Sequence, residues 1–401
     1  MLLVGYRGSV ATLLGGRSRA AGFLKGFYSP MLIFLLLLSL FILLFSTSLS
    51  PLLALAIAPA FWAHLIFVVA ALPLIMAAMQ HFVPVLTRSR AAGRALGGLP
   101  VGLGLAGVSL LGVFAGKVDW AWIMPLAILI AAGAAWQLLW MRQRATAALG
   151  GAHPGLAWYV AAVACLIAGL TAAALIPVFP DWHAPLRQFH LHINLFGFVG
   201  LTAVGTLQVL FPTATGHADV GVNLRLRQDL KWALTGAVLL SLGRALELPA
   251  LTVLGALCWL WPMGRMAWAW WRQGRVRILS WQGAPPVLAA AVVGLALAVV
   301  GVVVPGVAPL DVFVAGFMFP LVSGAATQLV PVWLRPGRQT AWHTRARQAI
   351  GRYNGVRALL YLTSAVLPLL GYRCGAMAGL LALFWFVAGF GYWWLMQGGE
   401  D

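Results

Sequence analysis

Apolar positions in this chain run in long blocks separated by short basic loops, without the alternation of a half-buried strand or the one-sided stripe of a surface helix. A helix rises 1.5 Å per residue, so about 20 apolar residues cross the roughly 30 Å hydrocarbon core of a bilayer. By that measure the pattern predicts twelve membrane-spanning helices, at roughly 30–49, 60–85, 98–116, 119–141, 156–178, 187–212, 231–247, 249–271, 285–305, 310–333, 355–371 and 374–396. The expected fold is all-α: a polytopic membrane protein with a cytoplasmic N-terminal segment at 1–29 and a single transmembrane domain at 30–401. Residues 1–29 are basic and glycine-rich rather than apolar, which predicts a retained first span and no cleaved leader.

Composition sharpens this picture. Of the 401 residues 62% are hydrophobic and 8% charged, which excludes a water-soluble globule and makes the lipid bilayer the first partner. A formal charge of +18 invites a nucleic-acid reading, but its placement argues otherwise. All but Lys117, Arg187, Arg244 and Arg373 of the 26 lysines and arginines precede or follow spans on one face. Such asymmetry is topological; it predicts both termini in the cytoplasm of a bacterial-type inner (plasma) membrane, and no nucleic-acid partner. Cys165, Cys258 and Cys374 lie far apart without C-x-x-C spacing and read as packing residues.

Three spans share a pattern. His64 to Pro84, His192 to Pro212 and Asp311 to Pro331 are each 20 residues apart, in HLIFVVAALPLIMAAMQHFVP, HINLFGFVGLTAVGTLQVLFP and DVFVAGFMFPLVSGAATQLVP. The second and third have Gly-Phe five residues in (Gly197-Phe198, Gly316-Phe317) and a glycine seven before the proline (Gly205, Gly324), where the first keeps Ala77. Gln80, Gln208 and Gln328 precede the prolines, and basic loops follow. The pattern predicts three pseudo-repeats of four helices, roughly 30–141, 156–271 and 285–396.

In that topology His64, His190, His192 and Asp311 all fall in the outer third of the bilayer. Ionisable side chains in hydrocarbon cost a few kcal/mol each and are normally turned inward, paired or metal-bound. If the three inner helices converge, His64, His192 and Asp311 bring two imidazoles and a carboxylate to one axis, a donor set for copper, iron or zinc. Positions two apart on an undistorted helix differ by about 200°, so His190 and His192 serve two directions. His190 is left as an axial haem ligand, a copper ligand or a hydrogen-bonding group, and the plain alternative for each histidine is a bond to a neighbouring carbonyl that fixes packing. Asn194, with Asp181 and His183 at the periplasmic edge, are candidates to orient ligands or admit a metal. His81 reads as interfacial, His153, His217 and His343 as solvated, and Arg244 and Glu247 as an i,i+3 pair.

Twelve spans with both termini inside, three four-helix arcs, and histidines on spans two and six near the outer surface resemble the catalytic subunit of the haem-copper oxidase and nitric oxide reductase superfamily. The stretch HLHINLFGFVGLTAVGTLQVLFPTATG is also similar to the H-x-H-x-M-x-x-G-F…P-x-x-T-G segment of the NnrS family, membrane proteins implied in nitric oxide tolerance and reported to hold haem and copper. The resemblance implies haem b and copper as cofactors, a small gas such as nitric oxide or oxygen as substrate, and an electron-donor subunit as partner. Span ten carries Asp311 and no histidine where the oxidases place haem ligands, span seven has no histidine pair, and Ile193 stands where the NnrS pattern has glutamate. The expected function is thus a haem- and/or copper-binding membrane redox protein, an oxidoreductase without a complete binuclear centre. The alternatives are a haem-free copper or other metal-binding protein, or a transporter or assembly scaffold on the same frame. Among eight acidic residues only Asp311 is expected within a span away from helix ends, which argues against a proton pump.

Overall fold

In lipid every backbone N–H and C=O must find its partner within the chain, so apolar blocks of this length fold into helices. The computed structural model describes residues 15–53, 56–148, 150–307, 309–372 and 374–397, and the regular structure among them is helical throughout. Arg7, the rest of residues 1–14, and Arg373 lie outside the described residues. Helix α1 is Gly15–Leu49, with its apolar part at Pro30–Leu49. It is followed by α2 (Pro59–Thr87), α3 (Arg94–Phe114), α4 (Trp120–Thr146), α5 (Gly155–Leu175) and α6 (Pro180–Thr215). Then come α7 (Val222–Ala245), α8 (Pro249–Ile278), α9 (Pro285–Val303), α10 (Pro309–Leu334), α11 (Ala341–Ile350), α12 (Asn354–Leu369) and α13 (Gly375–Gln397).

Ten of these helices are long and apolar enough to cross a membrane, as in a multi-pass membrane protein. The spans expected at 231–247 and 355–371 coincide with α7 and α12, which fall outside the ten. Arg225, Arg227, Asp229 and Lys231 fill the first turns of α7, which starts earlier than expected. Helix α12 has 16 residues, several short of the 20 or so that a bilayer needs. The early start of α7 also places Asp229 inside a helix and fully buried, 3.0 Å from Arg265, so Asp311 is not the sole carboxylate of that kind. His343 is another correction. It is buried, accepts the Thr340 N–H at the start of α11 and donates to the Arg335 carbonyl at 2.8 Å, rather than facing solvent.

Helices α2, α6 and α10 are wound irregularly at matched places. Immediately after His64, His192 and Asp311 the chain passes into π-helix, over Leu65–Ala71, Ile193–Gly200 and Val312–Met318 respectively. In α2 and α10 the cause is local: Pro73 and Pro320 lack the N–H that would bond the carbonyl one turn back, so the preceding turn opens. Helix α6 has Leu201 there instead, and the Asn194 side-chain amide donates to the His190 carbonyl at 2.7 Å, competing with the backbone ladder.

The opened turns bring aromatic rings together. Phe313 lies 6.0 Å from Phe67 and 5.7 Å from Phe196, ring centre to ring centre, and Phe317 meets it edge-on at 4.9 Å. All four belong to the π segments, so a phenylalanine plug holds the junction of α2, α6 and α10. At the basic-loop end the three glutamine positions tie each helix to the segment that follows: Gln80 to the Leu96 carbonyl, Gln208 to Arg225, and the Gln328 carbonyl to Arg347.

Candidate functional site

His64 sits on the last α-helical turn of α2 before the π segment, and its Nδ1 lies 2.7 Å from the Ala60 carbonyl one turn back. His190 sits on α6, with Nδ1 2.8 Å from the Gly169 carbonyl of α5. A carbonyl can only accept, so each Nδ1 carries the proton and each Nε2 presents a lone pair. The two rings are 12° from parallel with centroids 6.3 Å apart.

Both histidines line one cavity of about 300 Å³ between α2, α3, α4, α5 and α6. Its walls are almost wholly apolar, including Phe67, Leu110, Leu166, Leu170 and Phe198, with Arg187 and Asn194 as the other polar members. Phe114 covers His64, ring centroids 4.2 Å apart. Water is a poor competitor for a metal-binding nitrogen in such surroundings, and what the cavity offers a ligand is two lone pairs, apolar walls and one guanidinium.

The approach of α5 to α6 depends on small residues. A Cβ on Gly169 would stand 2.3 Å from Asn194 Nδ2, and one on Gly197 would stand 2.7 Å from Cys165 Cβ. Gly169 thus serves twice, since its carbonyl also fixes the His190 tautomer. In Gly169→Leu the side chain displaces Asn194 and pulls that carbonyl from His190. Overpacking of this kind costs about 1–3 kcal/mol. The expected result is a lower thermal midpoint in detergent together with a weaker occupant of the His64–His190 pair; an unchanged midpoint would contradict the packing described here.

His192 faces elsewhere, as a position two residues along a helix must. Its Nδ1 bonds the Gln188 carbonyl at 2.8 Å, and it forms part of the wall of a second cavity of about 670 Å³ with Arg244, Glu247 and Thr252. The expected meeting of His64, His192 and Asp311 at one axis is therefore corrected. The phenylalanine plug fills the junction, His64 pairs with His190, and Asp311 is exposed and lines neither cavity. Among the described residues no three His, Cys, Asp or Glu side chains come together as a metal set.

Asp181 and His183 are exposed in the turn that opens α6, and the His183 ring lies 11° from parallel to Trp120 at 6.4 Å. Neither lines either cavity. Arg244 and Glu247 form no ion pair among the described residues, because α7 ends at Ala245 and Glu247 takes a left-handed φ of 55° that carries it off the helical face. Sequence reasoning did not single out Arg187 or Phe114 as site residues. The π segments had a signal in Pro73 and Pro320, each nine residues after the polar position.

Comparison with known proteins returns no matching family model, no matching curated protein and no matching solved structure.

Proposed function

We propose that this chain is an integral membrane redox protein that holds haem b or a copper ion between His64 and His190, on a frame like that of the haem-copper oxidases. The observation that carries the reading is the pair itself: two nearly parallel imidazoles 6.3 Å apart, each with Nδ1 anchored to a carbonyl, in one apolar cavity. Neutral imidazole is the usual nitrogen ligand of haem iron and of copper, so the donor set fits either. Haem iron or copper held there supplies one-electron chemistry.

The chain's own groups do the rest. The Ala60 and Gly169 carbonyls fix both tautomers, Phe114 and the leucines exclude water, and Arg187 is placed to pair with an acidic substituent of the bound group. With two protein nitrogens committed to one centre and no third His, Cys, Asp or Glu side chain beside them among the described residues, electron carriage or sensing of a small gas such as nitric oxide or oxygen fits better than oxidase-type turnover. An electron donor, a subunit or a mobile carrier, is part of the proposal.

The frame belongs to it as well: twelve spans in three pseudo-repeats, both termini in the cytoplasm of a bacterial-type inner membrane. In its favour, α7 and α12 occupy the places of the two remaining spans, and the π segments begin at the same repeat position in α2, α6 and α10.

The test is the full chain purified in detergent from cells supplied with haem precursor and copper. The expected result is a Soret band that shifts on reduction, or else a colourless protein with stoichiometric copper, the second outcome selecting the haem-free form. A colourless, metal-free protein that takes up neither hemin nor copper(I) overturns the proposal and leaves the transporter or scaffold reading.

A further inference from the structure

We infer that the second cavity is a binding site for a small zwitterion, an α-amino acid with an apolar side chain. Its polar groups are few and sorted by depth. His192 is 3% exposed, and its Nε2 has no hydrogen-bond partner among the described residues, while Arg244 and Glu247 are exposed and form no ion pair among them. The Thr252 hydroxyl already donates to the Leu248 carbonyl.

The charges decide the class of ligand. One guanidinium and one carboxylate make a mouth of zero net charge. A simple anion held by Arg244 faces Glu247, and a simple cation held by Glu247 faces Arg244, so each leaves one charge opposed. A molecule bearing both signs satisfies both. The donor count agrees: Glu247 and the His192 lone pair are acceptors and suit the N–H groups of an ammonium, whereas a guanidinium pairs with a carboxylate through two parallel N–H bonds.

Gln188 is a further polar member of the lining and the rest is apolar, with Val302, Val303, Val304 and Val307 from the end of α9 and the loop after it. They suit an aliphatic or aromatic substituent, and about 670 Å³ admits a free amino acid with some of its water. Nothing here depends on an occupant between His64 and His190, which line a different cavity.

The test is equilibrium binding of radiolabelled L-leucine, L-valine and L-phenylalanine to the full chain in detergent, with 4-methylpentanoate and isopentylamine as competitors that each carry one of leucine's charges. At least one amino acid binds saturably, neither half-molecule competes at equal concentration, and Arg244→Gln and Glu247→Gln each weaken binding roughly tenfold or more. Both substituted side chains are exposed, so the variants melt with the parent; His64→Ala binds as the parent does, which separates this site from the proposed redox centre. No saturable binding by the parent, undiminished binding in both charge variants, or competition by either half-molecule as strong as leucine's overturns the inference.

Discussion

In His190→Ala and in His64→Ala the haem or copper signal of the purified protein disappears, whereas His192→Ala keeps it. Each of the first two removes half of a two-nitrogen donor set in a cavity that no other His, Cys, Asp or Glu lines among the described residues. The affinity loss exceeds the roughly 10–100-fold that follows removal of an outer partner, the size expected when Gly169→Leu disturbs the His190 carbonyl contact. His192 belongs to the other flank of α6, with its own carbonyl partner and its own cavity, so its truncation leaves the pair intact. Absorbance of haem and elemental analysis of copper read the outcome. A signal that survives His190→Ala but not His192→Ala would reverse the assignment and return the site to the flank that now holds Arg244 and Glu247.

That contrast marks the boundary of what was legible beforehand. The apolar blocks placed the helices, and the helical repeat alone required His190 and His192 to face different ways. Neither says how far each helix is turned about its own axis against its neighbours, and that rotation decides that His64 meets His190 rather than His192. The local winding was hidden for a related reason. A proline nine residues after His64 and after Asp311 marks an opened turn, but α6 has no proline there, and Asn194, a candidate to orient ligands, instead donates to the His190 carbonyl beside that turn. The π segments then carry Phe67, Phe196 and Phe313 to the junction where a metal centre had been expected. Asp229 is not legible as a buried carboxylate in the apolar pattern because the charged first turns of α7 resemble a loop, although the helix continues through them and buries it. Burial of His343 follows from a cap at the start of α11, a helix the same scan passed over.

The largest change in stability is expected at the other end of α6. Arg225 is buried, with one arm 2.5 Å from the carboxylate of Asp219, itself buried, and Nε 3.0 Å from the side-chain oxygen of Gln208 on α6. Arg225→Met keeps most of the volume but, among the described residues, leaves the Asp219 charge held only by neutral donors, the Gly221 N–H at 3.0 Å and Gln273 at 3.5 Å. It also strips the Gln208 side-chain oxygen of its Arg225 partner, in a glutamine whose amide nitrogen already has no partner among the described residues. Breaking one side of a buried ion pair costs about 3–5 kcal/mol, while removing both charges is often close to neutral. Arg225→Met therefore lowers the thermal midpoint sharply, and Arg225→Met with Asp219→Asn, which keeps an oxygen for the Gly221 N–H, recovers most of the loss. If the double variant melts no higher than the single one, the charge is not what matters there, and packing of the arginine stem against α6 is the alternative. Because the His190 ring is held by Gly169 at the far end of the helix, the variant that folds binds its haem or copper as tightly as the parent, which separates the stability of the loop end from the chemistry of the cavity.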